Sequence, residues 1–276
     1  MNNRTIPPQL QLNEAELALC RSALYEALAW GFLPPTKETV MRLSTEEQNQ
    51  ALAEIASILD AHSQSQVKRN GEKVPLAFRV RQLTQCPDAR ALESLEGSYR
   101  YLFGHTARSK VPPYETGYGE ETLFQQPQEM GDIAGFFSAF GLTLNTDEHE
   151  RGDHISCECE FLCFLTRKEA YALEQNDVSM LEETRKAQGL FLKDHLGRFA
   201  PAFSNLLSRE DADGFYGALG NLCRDFVQSE CAHYEVPPGS ESLRLCSTDL
   251  MDMCSTCGSG EDLIQISQSP ASTPDM

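Results

Sequence analysis

The residues best suited to chemistry fall in two places. Between Asp147 and Glu160 the chain reads Asp-Glu-His-Glu-Arg-Gly-Asp-His and then enters an apolar stretch carrying Glu158 and Glu160. On a helix begun at Asp153, the residues His154, Glu158 and Phe161 stand at i, i+4 and i+7 and so share a face. A carboxylate beside an imidazole can bind a metal or receive a cationic peptide. The same residues serve equally well as a capping Asp153, a histidine satisfied by a neighbouring carboxylate, and solvated acids. Toward the carboxyl end, Cys246, Cys254 and Cys257 give a C-x7-C-x2-C spacing, with Cys231 upstream as a fourth thiolate. Zinc and iron–sulfur clusters use such soft-ligand sets. The plain alternative is reduced thiols in a mobile tail, because the second C-x2-C pair of the usual pattern is missing.

Other chemistry finds no support in the motifs. Gly117-Tyr118-Gly119 is followed by Glu120-Glu121, whose carboxylates repel a phosphate, and no GxxxxGK[ST] occurs. There is no GxSxG, no HExxH, and no Cys or Ser near a His in a nucleophile pattern. These absences point away from nucleotide-driven chemistry and from an enzyme. With 41 acidic against 23 basic side chains the formal charge is -18, a surface that repels nucleic acid and anionic lipid and attracts cationic partners. The amino terminus has no apolar core of signal-peptide length, and no later run offers about 18 uninterrupted apolar residues. A cytoplasmic protein without stable membrane insertion is expected, and ten cysteines in that compartment read as thiols or ligands rather than disulfides.

The elements that must position these residues are helical. Apolar residues recur at three- and four-residue steps in Glu14–Trp30, where Phe32-Leu33-Pro34-Pro35 then stops the pattern. The same period predicts helices over 46–61, 76–83, 88–103 with Asp88 as N-cap, 130–142, 153–173, 178–195 and 211–234. Between Gly104 and Gln128 the prolines and glycines break the rhythm and mark a long, functional connection. The fold class is therefore all-α, a single helical bundle-like domain over residues 14–236. Residues 1–13 form an N-terminal extension. Residues 237–276 form a flexible, largely irregular tail that carries cysteines and the acids Glu241, Asp249, Asp252, Glu261, Asp262 and Asp275 against Arg244.

Four blocks carry a family resemblance. Tyr99-Arg100-Tyr101-Leu102-Phe103-Gly104, Pro112-Pro113-Tyr114-Glu115-Thr116, Met130-Gly131-Asp132-Ile133-Ala134-Gly135-Phe136-Phe137, and Asp153-His154-Ile155-Ser156-Cys157-Glu158-Cys159-Glu160-Phe161 resemble, in order and spacing, the TorD/DmsD family of redox-enzyme maturation chaperones, which is related to NarJ. The likeness runs from about Glu14 to Tyr234. It departs from the commonest pattern in having Tyr99 and Tyr114 where tryptophan is frequent, and Cys157 and Cys159 where aliphatic residues flank the glutamate.

The resemblance implies an all-helical cytoplasmic chaperone that binds the amino-terminal, often twin-arginine, leader of the catalytic subunit of a molybdopterin oxidoreductase. Such a protein holds that subunit until its cofactor is inserted. Tyr99, Leu102, Phe103, Pro113, Tyr114, Asp153 and His154 would form the leader groove, with Glu158 among the acids that meet leader arginines. For the aromatic residues plain helix core is an equal reading. No cofactor is required, a zinc ion or iron–sulfur cluster at Cys231, Cys246, Cys254 and Cys257 is possible, and a monomer or dimer would serve. Two other classes stay open: a redox or electron-transfer protein holding iron–sulfur or zinc in its tail, and a small hydrolase with a metal between Glu148 and Glu160.

Overall fold

Asn13 begins the first helix by capping it. Its side chain accepts from the Glu16 N–H at 2.9 Å while Glu16 returns a bond to the Asn13 N–H at 2.8 Å, a reciprocal arrangement that satisfies two otherwise orphaned donors. The computed structural model describes residues 13–66, 74–86, 91–104, 109–119, 125–144, 151–246 and 267–268. Among these, ten α-helices follow in order: α1 (Glu14–Phe32), α2 (Lys37–Ser44), α3 (Glu46–Gln66), α4 (Leu76–Gln85), α5 (Leu92–Leu102), α6 (Gln125–Ala139), α7 (Ile155–Gln175), α8 (Val178–Asp194), α9 (Leu196–Glu210) and α10 (Phe215–His233). Sheet structure among the described residues is limited to a two-residue antiparallel pair, Leu142–Thr143 with Ser267–Gln268, and to isolated bridges. The all-α expectation holds.

Two helices escaped the periodicity. The first, α2, is one short segment behind the Pro34-Pro35 stop, and Thr36 with Thr39 caps it. The second, α9, contains Pro201, which removes the N–H that would bond the Gly197 carbonyl and so disfavours a helix on sequence grounds. The fold supplies the missing donor from elsewhere: the Gly239 N–H bonds the Gly197 carbonyl at 2.9 Å. The backbone approaches so closely there that a Cβ on Gly239 would lie 1.9 Å from the Arg198 carbonyl oxygen. Residues 237–246, expected to belong to a mobile tail, therefore lie along α9. They continue through an Arg244 carbonyl bond from the Gly119 N–H (2.8 Å) and a Cys246 N–H bond to Gly117 (3.0 Å). The remainder of the tail lies outside the described residues except for Ser267–Gln268.

The core gathers where α1 packs on α7 and α9 on α10. Leu24, Leu28, Phe161, Leu165, Phe199, Phe203, Leu222 and Phe226 are all buried in it, and Phe161 meets Phe136, Phe137 and Phe191 edge to face, the geometry aromatic quadrupoles favour. Cys157 and Cys159 stand buried beside Glu158 and pack as small apolar residues, so the departure from aliphatic side chains leaves the helix interior filled.

One charged knot crosses this core. The Arg21 guanidinium of α1 donates from Nε to both Glu230 oxygens (3.0 and 2.8 Å), from Nη1 to Glu169 (2.9 Å), and from Nη2 to Gln188 (2.9 Å) and the Tyr234 hydroxyl (3.0 Å). It thus ties α1 to α7, α8 and α10. A buried pair of this kind is tolerated because nearly every donor finds a partner.

Candidate functional site

Two backbone hydrogen bonds create the site. The Glu115 N–H donates to the Asp153 carbonyl and the Ile155 N–H to the Pro113 carbonyl, each at 2.8 Å, so Pro113–Glu115 runs antiparallel to Asp153–Ile155 through a Tyr114–His154 bridge. The long connection and the start of α7, nearly forty residues apart, become one corner. The Tyr114 and His154 rings meet edge to face at 5.2 Å.

His154, not Asp153, is the N-cap of α7. Its Nδ1 accepts from the Ser156 N–H at 3.2 Å and lies 2.7 Å from the Ser156 hydroxyl, so Nδ1 must stay unprotonated and the neutral ring carries its proton on Nε2. Burial, and then the nearby Arg151 charge, lower its pKa to about 3. The expectation that Asp153 caps the helix fails because Asp153 is drawn sideways. Its Oδ2 accepts from the Thr116 hydroxyl at 2.7 Å and from Arg151 Nη2 at 2.9 Å. Its Oδ1 is buried and has no hydrogen-bond partner.

Beneath this corner lies a second, deeper group. Glu115, fully buried, accepts from His195 Nδ1 at 3.0 Å and from Arg198 Nε at 3.1 Å. His195 Nε2 lies 3.2 Å from Asp132, and Arg198 Nη2 donates to Glu129 at 2.9 Å. Burial alone would lower the His195 pKa, but the Glu115 hydrogen bond and charge, with Asp132, outweigh it and raise the value. Glu158 is buried beside Glu115 with neither carboxyl oxygen hydrogen-bonded as an acceptor. Burial, then the Glu115 and Asp153 charges, raise its pKa well above the ordinary carboxylate value, because both disfavour the charged form.

The residues expected to act together thus divide. Pro113, Tyr114, Asp153 and His154 share the corner, whereas Glu158 lies one turn further along α7, fully buried in the deeper group. Tyr99, Leu102 and Phe103 do not: Leu102 and Phe103 are buried, and Tyr99 and Phe103 pack against Tyr216, with Phe103 stacked on Phe203. In this conformation Leu102 and Phe103 present core, not groove. Glu115, Thr116, Arg151, Asp132, His195 and Arg198 join the site beyond the residues that the resemblance implies. Glu115 and Thr116 stand directly after Tyr114 in the Pro112–Thr116 stretch, which is the local signal that marks them. His195 and Arg198 had no local signal, because their partner is Glu115, some eighty residues away.

The cysteines are dispersed. Cys231 is in the core, where burial pushes its thiol up to about 12. Cys246 is half-buried with Sγ 3.8 Å from the Gly119 carbonyl. Cys254 and Cys257 lie outside the described residues, as does the whole Glu148 to Glu150 acid run. Among the described residues no three His, Cys, Asp or Glu side chains converge to hold a metal. A cleft of about 530 Å³ opens beside Arg21, walled by Leu17, Leu59 and Phe226, but its arginines are bonded to its own glutamates.

A helical domain whose charged, aromatic-lined corner is assembled from a crossing strap and a helix start defines the class to which this chain conforms. A profile of the nitrate reductase delta subunit family matches residues 45–205, more than half of the chain, and the protein belongs to that family, as its resemblance to TorD-type chaperones implied. Relatives include the chaperone protein TorD of Vibrio cholerae, 26% identical over 183 residues that span 64% of this chain and 78% of that protein. The perchlorate reductase assembly chaperone protein of Dechloromonas aromatica is 31% identical over 140 residues, 50% of this chain and 60% of its own length. The chlorate reductase assembly chaperone protein of Ideonella dechloratans is 28% identical over 189 residues, 65% and 83% respectively. No helix among the described residues is long and apolar enough to cross a membrane.

Proposed function

We propose that this protein is a cytoplasmic assembly chaperone, not an enzyme, that binds the amino-terminal leader of the catalytic subunit of a molybdopterin oxidoreductase and holds it for cofactor insertion. The family and the names of the relatives support the chaperone role. The single observation that carries the leader reading is the corner's chemistry: the half-buried Tyr114 ring beside the buried Asp153 carboxylate and the Thr116 hydroxyl. Aromatic and acidic groups so placed suit a guanidinium, with charge-assisted hydrogen bonds on one side and a π-face on the other. His154 contributes by capping α7 and by packing edge to face against the Tyr114 ring.

No cofactor is needed for this role. A zinc ion or iron–sulfur cluster in the tail would rest on Cys246, Cys254 and Cys257; Cys231 fits such a site poorly, since its buried thiol would have to leave the core and lose its proton.

Calorimetry with synthetic leader peptides tests the reading. Asp153→Ala and Tyr114→Ala should each weaken binding by about 1–3 kcal/mol. Unchanged affinity in both variants would remove this corner as the leader site.

A further inference from the structure

The corner already contains a guanidinium. The Arg151 carbonyl accepts from the His154 N–H at 2.9 Å, a turn that folds the Arg151 side chain back over its neighbours. Its Nη2 alone makes every polar contact there: 2.9 Å to Asp153 Oδ2, 2.9 Å to the Thr116 hydroxyl and 3.7 Å to Met130 Sδ. Its guanidinium carbon stands 4.8 Å from the centre of the Tyr114 ring. Arg151 is 32% exposed, whereas the Asp153 side chain beneath it is fully buried. An incoming cation therefore meets Arg151 first.

We infer that Arg151 is a built-in occupant of an arginine seat formed by Asp153, Thr116 and Tyr114, and that a partner's arginine binds by displacing it. This rests on the leader reading above and adds to it the identity of the seat and of its internal competitor. The internal occupant is a poor fit. It engages the carboxylate through one nitrogen and one oxygen, and Asp153 Oδ1 is left buried without a partner. A guanidinium arriving from outside, free of the turn that tethers Arg151, can present two parallel N–H groups and satisfy both oxygens. Fork-to-fork pairing of that kind is the stronger and more directional geometry, and lysine cannot reproduce it. Self-occupancy also spares the free protein a buried, unpaired carboxylate, which would be costly. The price is a weaker apparent affinity, reduced by the fraction of molecules in which the seat is filled.

The test uses the full chain and two probes. The first is a fluorescein-labelled synthetic peptide with two adjacent arginines followed by a run of leucines, together with its twin-lysine counterpart. Arg151→Gln should bind the arginine peptide about tenfold more tightly than the parent protein, with a much smaller change for the lysine peptide. Arg151→Gln combined with Asp153→Asn should lose the gain. Helical circular dichroism checks that each variant is folded. The second probe is L-argininamide, with lysinamide as control. It should raise the Tm of Arg151→Gln more than that of the parent, because it restores the missing partner of Asp153.

Equal or weaker binding of the arginine peptide by Arg151→Gln, with argininamide shifting both proteins alike, overturns the displacement. A peptide bound by neither protein, while argininamide still selectively protects Arg151→Gln, keeps the seat and overturns the leader reading instead.

Discussion

His154 makes stability depend on pH in a way that can be isolated. Its Nδ1 accepts the Ser156 N–H and so caps α7, and protonation would convert that acceptor into a donor. The folded protein holds the ring neutral down to about 3, against 6.5 for the free side chain. Between those values the unfolded chain binds a proton that the folded chain refuses, so stability from this group is present above about pH 6.5 and is lost as pH falls. With each pKa unit worth about 1.36 kcal/mol, lowering the pH from 7 to 5 should remove about 2 kcal/mol through His154 alone. Asparagine supplies an equally good capping oxygen and does not titrate. Urea unfolding at pH 7 and pH 5 should therefore show the parent losing about 2 kcal/mol more than His154→Asn over that interval. Glu158 and His195, whose folded pKa values are raised, act in the opposite sense and favour the folded state as pH falls, but they are common to both proteins and cancel in the comparison. Identical pH slopes in the two would show that His154 is not held neutral by the fold.

Arg21→Ala should leave Glu169 and Glu230 buried without their cation, at a cost of about 3–5 kcal/mol, and calorimetry should find Tm lowered by about 10 °C at roughly 2–4 °C per kcal/mol for a domain of this size. Because the chain carries a charge of -18, stopped-flow association with an arginine-rich leader peptide should slow as salt rises and screening shortens the field to about 8 Å; a rate indifferent to salt would assign the acidity to solubility alone. If the tail thiols bind zinc or an iron–sulfur cluster, anaerobically prepared protein should contain stoichiometric metal that Cys254→Ser with Cys257→Ser abolishes, while far-ultraviolet dichroism of the helical core stays unchanged.

Sequence by itself determined the helical class, most of the helix positions and the blocks that mark the family. The reason is that these are local properties: apolar residues such as Leu24 and Leu28 repeat with the helical period, and Pro34-Pro35 ends a helix wherever it stands. It also brought Tyr114, Asp153 and His154 into view as chemically suited residues. Only the tertiary structure decided their roles. Asp153 does not cap α7 because Thr116 and Arg151 draw its carboxylate aside, and His154 takes the cap in its place. Phe103 faces the core because α9 and α10 bring Phe203 and Tyr216 against it, and Leu102 beside it is buried as well. Pro201 sits within a helix because Gly239, far along the chain, donates the bond that proline cannot. His195 and Arg198 join the site through a single buried carboxylate, Glu115. Most of these outcomes depend on partners distant in sequence, as Thr116 is from Asp153, and electrostatic and hydrogen-bond partners, unlike helical periodicity, leave no repeating mark along the chain by which they could be read.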